Sequence, residues 1–292
     1  MPTFTHWMPC WQQVATDWGQ PIERALAGGL AADRPAWAFA AGYQAAIQAL
    51  LAPAEVKALA AVCISEAGGP HPARIEATLE PVSALPSGWR LNGEKSFVTG
   101  ADGAEQLLVV AAAGVGSGGR KRLRTVWVNP ASSGVFLHPL PPLVMVPELP
   151  HSRVRFEGAL LPEDALLPGD GYQDFIKPFR SLEDLYVTAA LLAWCFGVGR
   201  RFGGPKATLA ALLDQMLAAC CLAGADPSAP VTHVVLGGFL EQAQRVMTDA
   251  MRVDLASAGD VRDWWERDRR LFEIAAGARQ RRFDVAWRHY GV

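Results

Sequence analysis

The feature that most constrains this chain is a change of hydrophobic period, made twice. Up to about residue 61, segments such as AWAFAAGYQAAIQALL carry apolar residues around nearly the whole helical circumference, the pattern of helices that pack on several sides. From about 62 to 172, short runs broken by Gly and Pro take over: GWRLNGEKSFVTG, AEQLLVVAAAG, RLRTVWVNP, SGVFLHPL and SRVRFEGALL. Alternation puts Trp89, Leu91, Phe97 and Thr99 on one face of the first run and Val126 and Val128 on one face of the third, as in half-buried antiparallel strands. From about 173 the helical period returns in ATLAALLDQMLAACCLA, HVVLGGFLEQAQRVMTDAMRV and VRDWWERDRRLFEIAAGARQRRFDVAWRHY. The expected fold is α+β: a reduced N-terminal helical region over 1–61, an antiparallel β-barrel or sandwich over 62–172, and a C-terminal helical bundle over 173–292.

Local signals refine this outline. Ser181 followed by Asp184 ahead of an apolar run predicts a helix start at Leu182, and AGADPSAP (223–230) predicts a loop between two helices. The most apolar run, LYVTAALLAWCFGVG (185–199), is shorter than the ~20 residues a bilayer span needs, so a buried core helix is expected. MPTFTHWMPCWQQ has no basic stretch followed by an apolar one, so no secretory signal is expected. Five cysteines, Cys10, Cys63, Cys195, Cys220 and Cys221, form no C-x-x-C pair and lie mostly in apolar runs, which predicts reduced, buried thiols in a cytoplasmic protein. Several helices apolar all round predict a homo-oligomer of undetermined order.

Three features invite functional readings that their context weakens. GVGSGG (114–119) fits a dinucleotide fingerprint and follows a strand, but the next segment has strand residues instead of opening a helix, so a hairpin loop is expected. The histidines are scattered without H-E-x-x-H spacing, and no metal site is expected. Arginines from Arg267 to Arg288 interleave with aromatic residues, yet Glu266, Asp268, Glu273 and Asp284 can pair with them, the habit of a solvated helix face. With a net charge of −2 and 19% charged residues, nothing general favours nucleic acid or an acidic membrane surface.

Three blocks in order carry a resemblance: AVCISEAGG (61–69), WRLNGEKSFVTGADGAEQLLVVA (89–111) and VRFEGALLPEDALLPGDGYQDF (154–175). Together they resemble the β domain of the acyl-CoA dehydrogenase family. The resemblance implies FAD, with Cys63, Ser65, Phe97 and Thr99 beside the isoalloxazine ring: Ser65 in place of a threonine, Phe97 for a stacking aromatic, Thr99 for a hydroxyl that donates toward N5. Read from the residues alone, Thr99 merely begins a turn before Gly100. GRRFGGP (199–205) implies a pyrophosphate contact from Arg200, although it comes early in the chain for that role. AGGPHP after Glu66 departs from the family pattern and puts His71 near the serine, as a substrate contact.

The same resemblance implies α,β-oxidation of an acyl-CoA or related thioester, with a carboxylate removing the α-proton. RDRRLFEIAAGA (267–278) matches the frame that usually carries this base, but Ala276 stands at the position; its backbone N–H remains able to donate to a thioester carbonyl. In some members the base opens the first bundle helix, which implies Glu183, with Asp184 as the other choice. A glutamate in a first helical turn also complements the macrodipole without any catalytic role. Gly237 and Gly238 are the candidates for a diglycine block expected nearer to Arg267. Two readings follow: an FAD-dependent oxidoreductase, with an electron-transfer flavoprotein as acceptor, or a binding or partner protein of the same fold that has lost the base, with or without FAD.

Overall fold

The computed structural model describes residues 1–52, 58–69, 71–83, 87–116, 118–252 and 259–291; Pro70 and Ser117, which belong to two motifs quoted above, lie outside them. Two units emerge. A helical unit takes Met1–Lys57, Leu143–Glu148 and Phe179–Val292, and a β unit takes Ala58–Pro142 and Leu149–Pro178.

Helices α1 (Phe4–Asp17), α2 (Pro21–Ala31) and α3 (Pro35–Leu50) open the helical unit. On α1, Phe4, Trp7 and Trp11 recur at helical spacing and stack with one another and with Trp37 of α3, ring centroids 5.4 to 6.3 Å apart. α3 is buried nearly all round, as its pattern predicts. The long helix α4 (Lys177–Arg201) is the element α2 and α3 pack on, and glycine sets their distance. A Cβ on Gly29 would lie 2.1 Å from the Ala190 carbonyl oxygen, and one on Gly42 would lie 2.5 Å from Val187 Cα.

α4 does not begin where Ser181 and Asp184 suggest. A turn of π-helix, Gly171–Ile176, runs straight into it, and Asp170 caps that turn by accepting from the Tyr172 and Gln173 amides at 2.9 and 2.8 Å. Ser181 is interior and buried, and its hydroxyl has no partner. The tertiary cap upstream overrides the local box, and Glu183, a full three turns past Gly171, gains nothing from a macrodipole. The unit continues with α5 (Lys206–Ala223), α6 (Pro230–Ala250), α7 (Gly259–Asp268), α8 (Leu271–Ile274) and α9 (Ala276–His289). The Gly171–Arg201 stretch is long and apolar enough to cross a membrane, but 78% of its apolar window is buried, as in a core helix; α5 also passes that test with 11% buried.

Charge holds the 143–148 segment to the helices. Glu148 accepts from Arg34 at 3.3 Å and from Arg267 at 2.9 Å. Asp268, 1% exposed, accepts from the Val146 amide at 2.8 Å and pairs with Arg267. The Arg-Asp frame near the C-terminus is thus a structural clamp.

In the β unit, β1 (Ala60–Cys63), β2 (Thr78–Val82), β3 (Gly88–Thr99), β4 (Gln106–Val115), β5 (Lys121–Val128), β6 (Val135–Pro139) and β7 (His151–Pro162) form one sheet. Its order is β1-β4-β2-β3-β7-β6, with β5 on β4. Most pairings are antiparallel, as the alternation predicts, but β1 and β2 join β4 in parallel, so the sheet is mixed. β4 and β5 form the hairpin expected for the 114–119 glycines, closed by Gly116 N–H on the Arg120 carbonyl at 2.8 Å. Cys63 and Cys195 are buried, whereas Cys10, Cys220 and Cys221 are exposed, against expectation. The helical residues that flank the last two leave them on an uncovered face of α5.

The close approach of α2 to α4 gives a direct test. Gly29→Ala forces backbone apart and is expected to lower stability by about 2–3 kcal/mol, read as a drop in the denaturant midpoint with the slope unchanged; an unaltered midpoint would contradict this packing.

Candidate functional site

Two groups of residues qualify, one in each unit. In the β unit the organising contact is a buried ion pair. Lys95 on β3, 0% exposed, donates to Glu66 Oε1 at 2.7 Å and also reaches the Ile64 carbonyl at 3.4 Å. Glu66 accepts in addition from the Glu76 and Ala77 amides at 2.7 and 3.2 Å. Burial pulls the Lys95 ammonium below its usual range while Glu66 opposes that shift. Burial also pushes the neighbouring Cys63 thiol up to about 12, opposed by Lys95, which leaves it a neutral core side chain.

This pair fixes the segment after β1 against β3. Ser96 N–H donates to the Ser65 carbonyl at 2.8 Å, so Cys63, Ser65, Lys95 and Phe97 converge. The alternation read from the sequence fails here. The β3–β7 register shifts between Leu91 and Gly93 and again between Lys95 and Val98, so Leu91, Lys95 and Val98 all point inward. Gly93 is required at its kink, where φ is +124° and a Cβ would meet Ala77 Cα at 2.6 Å. At the second irregularity Phe97 takes φ +55° and stands 60% exposed. A left-handed backbone under a bulky aromatic is strained, and the strain serves to present that ring to the outside.

Thr99 closes β3 on the same edge. Gly100 follows in the left-handed region at φ +69° and opens a short 3-10 turn, Ala101–Gly103, so the turn reading of Thr99 is correct as far as it goes. The turn is held from behind: Gly100 N–H donates to the Pro150 carbonyl at 2.8 Å, and the Ser152 hydroxyl donates to Asp102. Opposite Thr99 in the ladder stands His151, a neighbour no local signal predicts. Its Nδ1 lies 3.0 Å from the Leu149 carbonyl, so Nδ1 carries the proton and Nε2 is free to accept. Burial lowers its pKa, with the Leu149 bond opposing, which keeps the ring neutral at pH 7. His71 does not join this group: it is exposed and caps the 72–74 turn, its Nδ1 accepting from Ala73 N–H at 3.2 Å.

The second group lies in the helical unit. Asp184 on α4 is buried and paired with two arginines of α9, Arg279 at 2.8 Å and Arg282. Glu183 is only partly open to solvent, and its pKa is pushed up to about 7. Desolvation is the main cause and the Asp184 charge adds to it, against Arg279, Arg282 and Arg180. Of two adjacent carboxyl groups, Asp184 is thus taken up in ion pairs, and Glu183 is poised to exchange a proton near neutrality. Ala276 is the first residue of α9 and lines a cavity of about 240 Å³ with Thr188, Gly237, Gln244, Phe272 and Arg279. Because Arg279 binds Asp184, the structure brings Ala276 to the Glu183–Asp184 end of α4. Gly237 makes room for Phe283, whose ring a Cβ would meet at 2.3 Å, so this glycine serves packing. Arg200 stands in the last turn of α4, exposed and over the Phe196 ring at 5.9 Å, about 26 Å along the helix from Glu183 at 1.5 Å per residue. The described residues hold no cluster of three or more metal-ligating side chains.

No family pattern matches the sequence, and no curated protein does. Solved structures do match. Butyryl-CoA dehydrogenase from Megasphaera elsdenii superposes with a TM-score of 0.65 at 16% identity, over 93% of this chain and 83% of that one. The fold is that of the acyl-CoA dehydrogenases. The same architecture is shared with a dibenzothiophene monooxygenase from Paenibacillus (TM-score 0.65, 15% identity, 93% and 84% coverage) and with PigA solved with FAD and proline (TM-score 0.64, 14% identity, 93% and 82% coverage).

Two outcomes test this geometry. Lys95→Met strands a buried carboxylate and is expected to cost about 3–5 kcal/mol in unfolding, most of it recovered when Glu66→Gln is added; an additive double variant would show that the pair does not couple. For Glu183, a folded pKa near 7 against an ordinary value of 4.5 means the native state binds the proton more tightly, so this group's contribution to stability is intact below 4.5 and is lost as pH rises toward 7. Discounted for its partial exposure, Glu183→Gln is expected to unfold on the order of 1–2 kcal/mol later than the wild type at pH 8 and no later at pH 4, by thermal scans at both pH values.

Proposed function

We propose that this chain is an FAD-dependent oxidoreductase that oxidises the α,β bond of an acyl thioester. The observation that carries the reading is the rim on the β unit: an exposed Phe97 ring on a strained backbone two residues before Thr99, with the Ser65 backbone bonded to Ser96 and the segment locked by the buried Lys95–Glu66 pair. A flat apolar face next to fixed hydroxyl donors suits a planar heteroaromatic ring with acceptor nitrogens, and this donor set fits a flavin. When bound, that group supplies a hydride acceptor. The fold shared with proteins named as FAD complexes and acyl-CoA dehydrogenases supports the same reading.

The chain's own residues then divide the remaining work. Thr99 donates a hydrogen bond from a strand end that the Gly100 and Asp102 contacts keep still. Glu183, with a pKa near 7, takes the α-proton onto its carboxylate. Ala276 offers a first-turn N–H of α9, a class of donor with no intrahelical partner, to a thioester carbonyl as enolate charge develops. His71, which caps the 72–74 turn, and Arg200, in the last turn of α4, are given no contact in this proposal. The acyl-CoA class of substrate, a small flavoprotein as electron acceptor and a cytoplasmic setting belong to the same proposal; five free cysteines support a reducing compartment.

Ala276 in place of a carboxylate supports the rival reading, a protein of this fold that binds without turnover. Purified protein decides between them. The expected result is a visible flavin spectrum, or its recovery on adding FAD, with anaerobic bleaching by acyl-CoA. Glu183→Gln should keep the spectrum and lose the bleaching, while Thr99→Val should slow it about 10–100-fold. A colourless protein that takes up no FAD would overturn the enzyme reading, and unchanged bleaching by Glu183→Gln would remove that residue from the mechanism.

A further inference from the structure

The proposed chemistry leaves His151 without a part, although the ladder sets it directly opposite Thr99. The Gly100 amide donates to the Pro150 carbonyl, which makes Thr99 and His151 a non-hydrogen-bonded pair, the kind whose Cα atoms lie about 4.5 Å apart and whose side chains stand closest. Val98 and Ser152, the next pair along, are 1 and 0% exposed and fill the inner face, so Thr99 and His151 stand together on the outer one. Each has a polar atom to spare. The Leu149 carbonyl can only accept, so it holds His151 by Nδ1–H at 3.0 Å and leaves Nε2 as a lone-pair acceptor. The Thr99 hydroxyl is bonded to nothing among the described residues. Neither atom belongs to the buried polar atoms that lack a partner, so both open to the outside.

We propose that His151 is the positioning residue of Thr99, its Nε2 taking the hydroxyl hydrogen whenever Thr99 has to accept instead of donate. The inference rests on the flavin reading of the rim. A threonine hydroxyl holds one hydrogen and two lone pairs. It can donate to a ring nitrogen that is about to receive a hydride, but once that nitrogen carries hydrogen the two groups would each present a hydrogen to the other. The hydroxyl then has to turn, and its own hydrogen needs a new acceptor, because an unmet donor is costly in a closed site. His151 Nε2 is the acceptor that the ladder supplies on the β7 side of Thr99. No covalent bond forms or breaks in this turn; the hydroxyl hydrogen only swings from one acceptor to the other. The charged neighbours have partners of their own. Arg153, on the same outer face, is bridged to Glu94 at 3.3 Å, Asp102 accepts from Ser152, and Glu148 is held by Arg34 and Arg267. His138, across the ladder from Arg153, is the other titrating ring nearby. A residue that acts in this way favours the hydride-loaded site over the empty one, so a midpoint potential reads it.

Two measurements on the purified full chain test the pair, one with FAD and one without. His151→Asn keeps an N–H for the Leu149 carbonyl and removes the far acceptor. In the FAD-loaded protein it is expected to lower the two-electron midpoint potential by about 20–30 mV, which is a 5- to 10-fold shift at about 30 mV per tenfold. His151→Gln, whose Oε1 extends as far as Nε2, should restore most of the loss, and in a Thr99→Val background His151→Asn should leave the potential where it is. Without FAD, nitrogen NMR of isotope-labelled histidines should find the His151 proton on Nδ1 at pH 8. A hydroxyl donating to Nε2 stabilises the neutral ring, so Thr99→Val should raise the His151 protonation constant about 5-fold, while Thr99→Ser leaves it unchanged. A proton on Nε2, or a protonation constant that Thr99→Val does not raise, overturns the proposal. So does a potential that falls equally in the Thr99→Val background. Protein that takes up no FAD ends the flavin reading instead, and the NMR spectra then decide the Thr99–His151 pair by themselves. Should His151→Asn fail to fold, the Thr99 variants carry the test through the same spectra.

Discussion

The buried Lys95–Glu66 pair is the constraint on which the β unit's rim depends. An ion pair taken out of water needs further hydrogen bonds to its remaining lone pairs and protons, and here Glu66 is served by two backbone amides besides the ammonium, while Lys95 also reaches a carbonyl. The consequence is positional. The chain after β1 cannot drift relative to β3, so Ser65 and the Ser96–Phe97 bulge are delivered together. A well-packed apolar pair would stabilise as well, but it would not specify a direction in the way that four hydrogen bonds to fixed partners do.

Adjacent carboxyl groups on α4 illustrate how environment assigns opposite duties to similar residues. Asp184 faces α9, where Arg279 and Arg282 hold it. Glu183 lies one residue, about 100° of helical rotation, away. It receives those charges only at a distance, too weakly to offset its desolvation and its neighbour's charge. A sequence shows two acids side by side; only the direction from which the arginines approach separates them.

That distinction marks how much could be read in advance. The two changes of period, the hairpin at 114–119 and the buried helix over 185–199 were legible because each is local. The helix start at Leu182 was not, since Asp170, eleven residues before Ser181, caps a π turn that continues into α4. Alternation puts Phe97 on the wrong face because a shift of register reverses it, and nothing in GEKSFVTG declares that a non-glycine residue will take a positive φ. His151 beside Thr99 depends on ladder register across some fifty residues. Glu66 and Lys95 lie inside two of the blocks that carry the resemblance; Glu66 is a lone acid after an apolar run, but Lys95 stands beside Asn92, Glu94 and Ser96, so nothing local marks it for burial. The exposed Cys220 and Cys221 went unseen because an apolar neighbourhood in sequence does not mean a covered one in space.

Ala276, at the position where the resemblance implies the base, fits the same logic. A general base acts through its side chain, so a methyl group at that position ends the role there, whereas an N–H donor belongs to the backbone and depends only on the helix beginning where it does. The start of α9 is fixed by packing, with Phe283 seated on Gly237 and Arg279 tied to Asp184. Under the proposed chemistry, donor and base are then separable: the donor stays with the fold at the start of α9, and the base can move to any carboxyl group that burial brings near neutrality at the same end of the bundle. Glu183 meets that condition because burial desolvates it and the charge of Asp184, which takes the arginine ion pairs, adds to that effect.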